Sequence, residues 1–386
     1  MVTEPHSTNF GSAEEPPASV RQIRFGRNPR WQLGSRTVLV TAAGTVVAEG
    51  VIKCLKLSNS ARGKGEEYRI LTADMSPLAA GLYRSDLGVI VPKADAEGYA
   101  EAIVELCREQ SVEALFVGAD EELHPIAAAR ERIEKESGAA VVSNPMGVLK
   151  TATDKWRTFE FLKKNRLPCA DSALPEDKEE FARRSGFPLV AKPREGHGSI
   201  DFHVVKNLGE LDHAILAIKR TGQHSIIQEY LGDENPEFTT GVTVEKGGGY
   251  VMSSISMRRT LKGGQTYKAF IDEFKEIRES AKTVALKLGC RGPVNVQAKL
   301  VGGVPKVFEI NPRISASCPI RAVAGVNEPD ILFRNFVLGE KISVEEYRRM
   351  VCMRYWNEVY VPYSTYEATA DRGRTDGKDS LVPEYF

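Results

Sequence analysis

Between residues 36 and 150, short apolar runs alternate with longer segments in which apolar positions recur at helical spacing. The short runs are typical of buried strands and the longer segments of amphipathic helices. The pattern predicts strands at 37–41, 68–74, 87–91, 114–117 and 140–142, and helices from Val46 onward, at 96–109 and at 121–135. Strands that alternate with helices in this way predict an α/β domain with a doubly wound parallel sheet, which we assign to 36–150.

The pattern changes after residue 150. It predicts strands at 187–192, 203–205, 225–230, 237–244, 250–257, 294–301 and 306–310, with helices at 208–220 and 274–289. Glycine-rich turns at 247–249 and 302–303 indicate hairpins. We therefore expect an α+β domain with antiparallel sheets over 151–342, divided into a smaller subdomain, 151–230, and a larger one, 231–342.

The two ends of the chain differ from these domains. Residues 1–35 are rich in Pro, Ser and Glu at first and then in Arg, and few of them are apolar, so we expect a flexible N-terminal arm. The last segment, 343–386, is rich in Tyr and Trp. We expect this C-terminal tail to pack on the body or on a second subunit, which favours a homodimer.

Composition narrows the class of protein. Lys plus Arg and Asp plus Glu number 52 each in 386 residues, which argues against a nucleic-acid binder because such proteins carry excess positive charge. No apolar run approaches the ~18–20 residues that span a bilayer. The six cysteines are scattered without a C-x-x-C pair. We expect reduced thiols and a cytoplasmic location, with neither nucleic acid nor membrane as a partner.

The strongest chemical signal lies in two neighbouring strands of the larger subdomain. Glu309 and Asn311 are two residues apart on one strand and share a face, which Gln297 on the preceding strand can also share. Val307, Phe308 and Ile310 are expected on the core face. One carboxylate with carboxamide oxygens suits Mg²⁺ that also takes phosphate oxygens and water. An ordinary half-exposed strand is the alternative for this segment alone.

Two lysines predict an anion site in the smaller subdomain. Lys192 closes an apolar strand, where its burial is costly unless it meets an anion, and Lys155 follows Asp154 earlier in the chain. The next segment contains Gly196, Gly198 and Ser199, whose backbone N–H groups could approach a phosphate. A surface position is the alternative for either lysine.

The segment that joins the two subdomains can recognise a nucleoside. Gln228, Glu229 and Leu231 end one strand, where backbone donors and acceptors could bind an adenine edge. The carboxylate of Glu237, at the start of the next strand, could accept hydrogen bonds from ribose hydroxyls. Solvated acids are the alternative for this segment.

A basic segment, 258–268, is expected to choose the substrate. It holds four cations around Gly263-Gly264, so it could capture an anion and close over it. Arg258 and Arg259 alternate faces if the strand continues, and we favour Arg259 for the site, together with Lys268. A solvated basic hairpin is the alternative.

In their order along the chain, these motifs resemble the ATP-grasp superfamily, and in particular the carbamoyl phosphate synthetase large subunit and carboxylate–amine ligases. The resemblance covers about 37–340, and Glu309-Ile310-Asn311-Pro312-Arg313 after a Gln-bearing strand is its most specific part. The synthetases carry a second Arg where this chain has Ala316, so the substrate site is not a copy of theirs. The chain is also too short for their tandem halves.

The resemblance implies a pre-ATP-grasp domain followed by an ATP-grasp fold, and roles for the predicted residues. Lys155, Lys192, Gly196, Gly198 and Ser199 would contact the ATP phosphates. Gln228, Glu229 and Leu231 would flank adenine, and Glu237 would hold the ribose. Gln297, Glu309 and Asn311 would hold Mg²⁺, with Mn²⁺ as an alternative ion, whereas Arg313 would steady a carboxylate or acyl phosphate, with Arg259 and Lys268 nearby.

The implied activity is an ADP-forming ligase that joins a small carboxylate, such as an amino acid, to an amine or thiol through an acyl phosphate. Two alternatives stay open. A nicotinamide-dependent oxidoreductase could use the first domain, although the turn at 41–45 lacks G-x-G-x-x-G and Asp74 lies thirty residues past Gly44. A catalytically silent ATP-binding protein is the other.

Overall fold

The computed structural model describes residues 35–61, 67–196 and 200–384. Apart from Ser35, the predicted N-terminal arm lies outside the described residues. Gly198 and Ser199 of the predicted phosphate loop lie outside them as well.

A parallel sheet forms the first part of the structure. Its strands are β1 (Arg36–Val40), β2 (Tyr68–Asp74), β3 (Leu87–Ile90), β4 (Ala114–Phe116) and β5 (Ala140–Val142), connected by α1 (Val46–Ala61), a 3-10 helix (Ala80–Arg84), α2 (Tyr99–Glu109) and α3 (Asp120–Ser137). The strand order β3-β2-β1-β4-β5 changes direction between β1 and β4, where crevices for ligands form in sheets of this kind. The predicted doubly wound sheet is confirmed.

A four-stranded antiparallel sheet follows. Its elements are α4 (Met146–Ala152), α5 (Lys155–Lys164), β6 (Ser172–Ala173), a 3-10 helix (Pro175–Asp177), α6 (Lys178–Ser185), β7 (Leu189–Pro193), β8 (His203–Val205), α7 (Leu208–Arg220) and β9 (Ser225–Glu229). The strand order is β6-β9-β7-β8. Apolar residues of α6 and α7, among them Phe181 and Leu211, pack with Leu189 and Ile227 of the sheet. The other face of the sheet is left for the site.

A six-stranded antiparallel sheet carries most of the polar residues predicted for the site. Its elements are β10 (Glu237–Val244), β11 (Val251–Lys262), β12 (Gln265–Ile271), α8 (Lys275–Leu288), β13 (Gly292–Val301), β14 (Val304–Asn311), α9 (Cys318–Ala324), α10 (Glu328–Phe336) and β15 (Met350–Met353). The order is β14-β13-β10-β11-β12-β15. On one face, Val242, Val294 and Val296 pack against Ala281 and Val284 of α8. The predicted mixture of parallel and antiparallel sheets is thus confirmed as the fold class.

One strand was missed and one local expectation was wrong. The basic segment is a hairpin of β11 and β12, the alternative that the sequence left open, and β12 was not predicted because a register shift opposite Thr260 and Leu261 interrupts its alternation. Phe308 does not lie on the core face. The register of β13 and β14 shifts between Gln297 and Ala298, and this bulge directs Phe308 into a cleft.

The C-terminal tail packs on the body, which is one of the two arrangements expected from the sequence. β15 extends the six-stranded sheet, and after α11 (Tyr363–Arg372) the short strand β16 (Arg374–Thr375) pairs antiparallel with β3 in the first sheet. The predicted domain boundaries at 150, 230 and 342 stay a prediction. Over the described ranges, the helices are too short or too polar to cross a membrane.

Candidate active site

A cleft of about 830 Å³ lies between the two antiparallel sheets. The loops after β1 and β4, at the carboxyl edge of the parallel sheet, close part of it with Thr45 and 118–121. Most of the predicted site residues line this cleft, namely Lys155, Lys192, Gly196, Gln228, Glu229, Leu231, Glu237, Arg259, Gln297, Glu309 and Arg313. Residues from all three sheets therefore meet at one place.

The expected carboxylate and carboxamide group is present on one face of β13 and β14. Gln297 pairs directly with Glu309, and Glu309 Oε1 accepts hydrogen bonds from Gln297 Nε2 at 3.3 Å and from Asn311 Nδ2 at 2.9 Å. No cluster of three or more His, Cys, Asp or Glu side chains able to hold a metal occurs among the described residues. A single carboxylate with two amides fits a Mg²⁺ ion that takes its remaining ligands from phosphate and water.

Lys192 is buried beside this group. Its side chain is 6% exposed, and Nζ donates to Gln228 Oε1 at 2.8 Å and lies 5.7 Å from the centre of the Phe308 ring. Burial, together with the nearby Lys155 ammonium, lowers the pKa of Lys192 to about 8, although Glu309 and Glu237 act in the opposite direction. Because Nζ has no carboxylate partner at salt-bridge distance within the described ranges, it suits a ligand anion.

Lys155 begins α5, directly after the helix cap. Asp154 accepts hydrogen bonds from the N–H groups of Trp156 and Arg157, which fixes the first turn. Lys155 Nζ then reaches the carbonyl of Gly196 at 2.7 Å, and Gly196 has φ = +104°, a conformation that favours glycine. Burial lowers the pKa of Lys155, and the carboxylates of Glu309 and Asp120 oppose that shift.

Glu309 is held in its charged form by these lysines. Burial by itself would raise the pKa of Glu309, but Lys155, Lys192 and the Asn311 hydrogen bond hold the pKa below its usual value. Glu309 is thus the carboxylate that acts most strongly on both ammonium groups, and neither ammonium has a carboxylate at salt-bridge distance within the described ranges. This charge pattern suits a metal bound to an oligophosphate.

The predicted hinge lies where β9 leads to β10. Glu229 Oε1 forms an ion pair with Lys306 at 2.5 Å and Glu229 Oε2 accepts from the Asp171 N–H at 3.0 Å, so this carboxylate ties β9 to β14 and to the chain before β6. Leu231 is buried, and Glu237 opens β10 on the face that carries Gln297. Two backbone groups of the segment are also occupied, since the Glu229 N–H donates to the Asp171 carbonyl at 2.8 Å and the Leu231 carbonyl accepts from Asn235 Nδ2 at 2.7 Å.

Arg259 lies in the cleft and Arg258 does not. Arg259 donates to Glu237 Oε1 from Nε at 2.9 Å and to Gln297 Oε1 from Nη2 at 2.7 Å. Arg258 stacks over Phe270, 4.6 Å from the ring centre, on the other face of the sheet. The structure does not bring Lys268 to the cleft. Lys268 pairs with Thr260, which points to the face of the sheet opposite to Arg259, and its side chain is exposed.

Arg313 contacts the first domain. It donates to Asp120 Oδ1 from Nε at 3.0 Å and to Asp120 Oδ2 from Nη2 at 2.9 Å, and Nη2 also reaches Asn311 Oδ1 at 3.2 Å. Asp120 is absent from the predicted site. Its position just after a buried parallel strand is a usable signal, because the carboxyl ends of such strands meet at ligand sites.

Comparisons with known proteins agree with this geometry. Residues 38–142 match the family model described as PylC-like, N-terminal domain, and residues 221–359 match the model described as ATP-grasp in the biosynthetic pathway with Ter operon. The predicted resemblance to the ATP-grasp superfamily is confirmed.

The individual relatives are distant. The carbamoyl phosphate synthase large chain of Thermus thermophilus is 24% identical over 48% of this chain and 19% of the relative. The MG011 homolog of Mycoplasma pneumoniae is 28% identical over 38% of this chain, and the match covers 50% of that protein. The chain thus spans about half of one curated relative and about a fifth of the other.

Solved structures share the fold. N5-carboxyaminoimidazole synthetase from Staphylococcus aureus, complexed with ADP, superposes with a TM-score of 0.65 at 15% identity, covering 83% of this chain and 82% of that one. The biotin carboxylase domain of Hydrogenobacter thermophilus 2-oxoglutarate carboxylase, in complex with MgADP and bicarbonate, gives 0.63 at 19% identity, covering 85% and 79%. At these identities the likeness concerns the fold.

Proposed function

We propose that this protein is an ADP-forming ligase that activates a small carboxylate with ATP and transfers the acyl group to an amine, or alternatively to a thiol. The observation that carries the proposal is the charge pattern around Glu309, a single carboxylate that faces Lys155 and Lys192 in a cleft between two antiparallel sheets. The ATP-grasp match of residues 221–359 supports it.

The nucleotide is placed by residues on both sides of the cleft. Adenine would lie against the backbone of 228–231, next to Leu231, and the ribose beside Glu237. The phosphates would lie between Lys155, Lys192 and Gly196, with the predicted Gly198 and Ser199 continuing the loop. Glu309, Asn311 and Gln297 would hold Mg²⁺, or Mn²⁺ in its place, which would neutralise phosphate charge.

The chemistry follows from where the cations lie. Lys155 and Lys192 concentrate positive charge at the end of the phosphate chain, where charge develops during transfer of the γ-phosphoryl group. A substrate carboxylate oxygen then attacks the γ-phosphorus, the bond to the β-phosphate oxygen breaks, and ADP leaves. The amine attacks the resulting acyl phosphate, loses a proton, and inorganic phosphate departs.

Arg313 and Arg259 are proposed to position the acceptor side of this reaction. Both guanidinium groups are oriented by carboxylates, Asp120 and Glu237, and both line the cleft. Their planar groups match carboxylate and phosphate oxygens. Lys268 is not included, since it lies on the opposite face of the sheet.

The dinucleotide alternative has little support at the first sheet. Asp74 Oδ2 accepts the Gly44 N–H at 2.8 Å and Asp74 Oδ1 accepts the Ser76 N–H at 2.9 Å, so this carboxylate joins the loops that follow β1 and β2. The ligase and the silent ATP-binding protein are separated by products. Incubation with Mg-ATP, small acids and amines should release ADP and phosphate in step with a new amide. AMP and pyrophosphate would contradict the proposed reaction, and no turnover would favour a silent protein.

We also propose that the protein forms a homodimer and works in the cytoplasm. The tail exposes several large side chains, including Trp356 at 81% and Tyr363 at 74%. A cluster of exposed aromatic residues is typical of an interaction surface. Sedimentation that shows only a 42.5 kDa species at micromolar concentration would contradict the dimer.

A further inference from the structure

Three arginines line the cleft, and they differ in what neutralises them. Arg259 is paired with Glu237 and Arg313 with Asp120. Arg354 is hydrogen-bonded to two carbonyl oxygens, from Nη2 to Ala316 at 2.6 Å and from Nη1 to Thr266 at 3.3 Å. Over the described ranges, no carboxylate lies within salt-bridge distance of Arg354.

The sheet register aims Arg354 into the site. Arg259 pairs directly with Ala269, and Ala269 pairs directly with Cys352, so the three side chains share one face of the sheet. Arg354 comes two residues after Cys352 and continues the pairing through its N–H, which donates to the Tyr267 carbonyl at 3.0 Å. Side chains two apart on a strand point the same way, so Arg354 extends the polar face that carries Arg259.

The surroundings of Arg354 are suited to an anion. The side chain is half-buried against 315–317, and this burial lowers its pKa, although a guanidinium stays charged at neutral pH. Two of its five N–H donors are occupied by carbonyls, which fix the plane of the group and leave the others for a ligand. A fixed guanidinium with spare donors matches the two oxygens of a carboxylate.

Arg354 also lies at the acceptor end of the cleft. Its two carbonyl partners belong to Ala316, three residues after Arg313, and to Thr266, whose Oγ1 accepts from Arg259 Nη1 at 3.3 Å. The lysines at the proposed phosphate position contact other elements, Gln228 and Gly196. An anion on Arg354 would therefore belong to the substrate that receives or supplies the acyl group.

We propose that Arg354 binds a carboxylate of the small-molecule substrate that does not itself react, and that this contact selects substrates bearing that carboxylate over the corresponding amides. The inference rests on the proposed ligase function and adds a substrate class to it. The carboxylate belongs either to a second acid group of the substrate that is activated, as in succinate, or to the α-carboxylate of an amino acid that supplies the amine. Both sources present the same chemistry to the guanidinium.

The test measures ADP release with Mg-ATP and a panel of probes. The common L-amino acids and succinate are each compared with the form in which the carboxylate that does not react is an amide, namely the amino acid amide and succinamate, and acetate is the acid without a second carboxylate. Each acid is assayed alone and with ammonium, and each amino acid is assayed with acetate, which separates the two sources. The variants are Arg354→Met and Arg354→Lys. Arg348→Met is the matched control, because Arg348 comes from the same segment and donates to the Val323 carbonyl, but it lies outside the cleft.

We expect Arg354→Met to raise the KM of the active carboxylate by roughly 10- to 100-fold, the usual effect of losing hydrogen bonds to a charged group. Its preference for carboxylate over carboxamide should disappear, Arg354→Lys should restore part of it, and the KM for ATP should stay as in the wild type. An unchanged preference in Arg354→Met overturns this inference and leaves the ligase proposal intact. If no probe raises ADP release from wild-type protein that binds Mg-ATP, the ligase proposal for small carboxylates fails together with the inference.

Discussion

Arg313 and Asp120 are 193 residues apart in the chain and form a two-pronged ion pair at the edge of the cleft, with N···O distances of 3.0 and 2.9 Å. The pair joins the end of β14 to the first turn of α3. Both side chains are largely buried, at 12% and 19% exposure. The orientation of Arg313 toward the proposed acceptor site thus depends on the first domain.

Replacing Asp120 with Asn should therefore impair turnover more than nucleotide binding. The change removes the charge that orients Arg313, and hydrogen bonds to charged groups contribute roughly 1.5–3 kcal/mol, which corresponds to about 10- to 100-fold in kcat. Steady-state assays should show this loss with little change in the KM for ATP. Glu121→Gln, at the neighbouring cleft position, is the control, and equal losses in both variants would contradict a specific role for Asp120.

The metal assignment predicts a large effect of Glu309→Gln. Gln keeps the shape of the side chain but removes the charge that faces Lys155 and Lys192, so Mg²⁺ and the phosphates lose their protein carboxylate. Losses of ~10²-fold or more in kcat are typical when such a charge is removed. Activity measured across a Mg²⁺ titration should fall while the thermal transition persists.

The control for this variant is Glu279→Gln, on the exposed side of α8, where Glu279 pairs with Lys282 at 51% exposure. It should behave as wild type. If Glu309→Gln stays within a few-fold of wild-type activity at low Mg²⁺, the assignment of Glu309 to the metal is wrong.

ATP affinity should weaken as the pH rises through about 8. The pKa of Lys192 is lowered to about 8, so its ammonium is present below that pH and is lost above it. Bound phosphate would raise the pKa of Lys192. The pH at which affinity begins to fall therefore reports the pKa of Lys192 in the protein without ATP. Calorimetric titration of the protein with ATP, at pH values from about 6.5 to about 9.5 that bracket this pKa, should show the affinity of wild type begin to fall near pH 8. This fall should be absent in Lys192→Arg, because a guanidinium does not titrate there. A flat wild-type profile would contradict a phosphate contact of Lys192.

The floor of the site depends on a buried ion pair. Arg321 and Glu328 are 0% and 3% exposed and 3.0 Å apart, and Arg321 Nη2 also donates to Asn295 Oδ1 at 2.7 Å. Gly241 makes room for them, since a Cβ there would lie 1.7 Å from Glu328 Oε1.

Glu328→Ala should therefore lower the free energy of unfolding by ~3–5 kcal/mol, because it leaves a buried guanidinium without its partner. Urea unfolding followed by fluorescence measures this change. Glu279→Ala removes the carboxylate of the exposed ion pair with Lys282. It should lower the free energy of unfolding by at most about 1 kcal/mol. Similar values for both variants would contradict the importance of the buried pair.

The sequence predicted what depends on local periodicity. Gln297, Glu309 and Asn311 could be placed on one face because side chains on a strand alternate, and Arg259 could be separated from Arg258 for the same reason. The register shift that turns Phe308 into the cleft could not be predicted, since a bulge depends on the pairing of two strands rather than on the pattern of one.

Residues brought in from distant segments were also beyond prediction. Asp120 reaches Arg313 through the packing of the first domain on β14, and Arg354 reaches the cleft because β15 adds to the edge of the six-stranded sheet. The position of Asp120 after a buried parallel strand indicates the ligand edge of that sheet but not the contact with Arg313, and nothing in the local sequence indicates the position of Arg354. Lys268 was misplaced because its facing depends on the register of β12, in which Tyr267 is an extra residue between the partners of Thr260 and Leu261.

The central claim is that the phosphates of ATP bind between Lys155, Lys192 and Glu309. A crystal structure with Mg²⁺ and a non-hydrolysable ATP analogue tests it most directly. The account predicts phosphate oxygens within hydrogen-bond distance of Lys155 Nζ and Lys192 Nζ, a metal ion on Glu309, and the base beside Leu231. A nucleotide bound instead at Gly44 and Asp74, with the cleft empty, would contradict it.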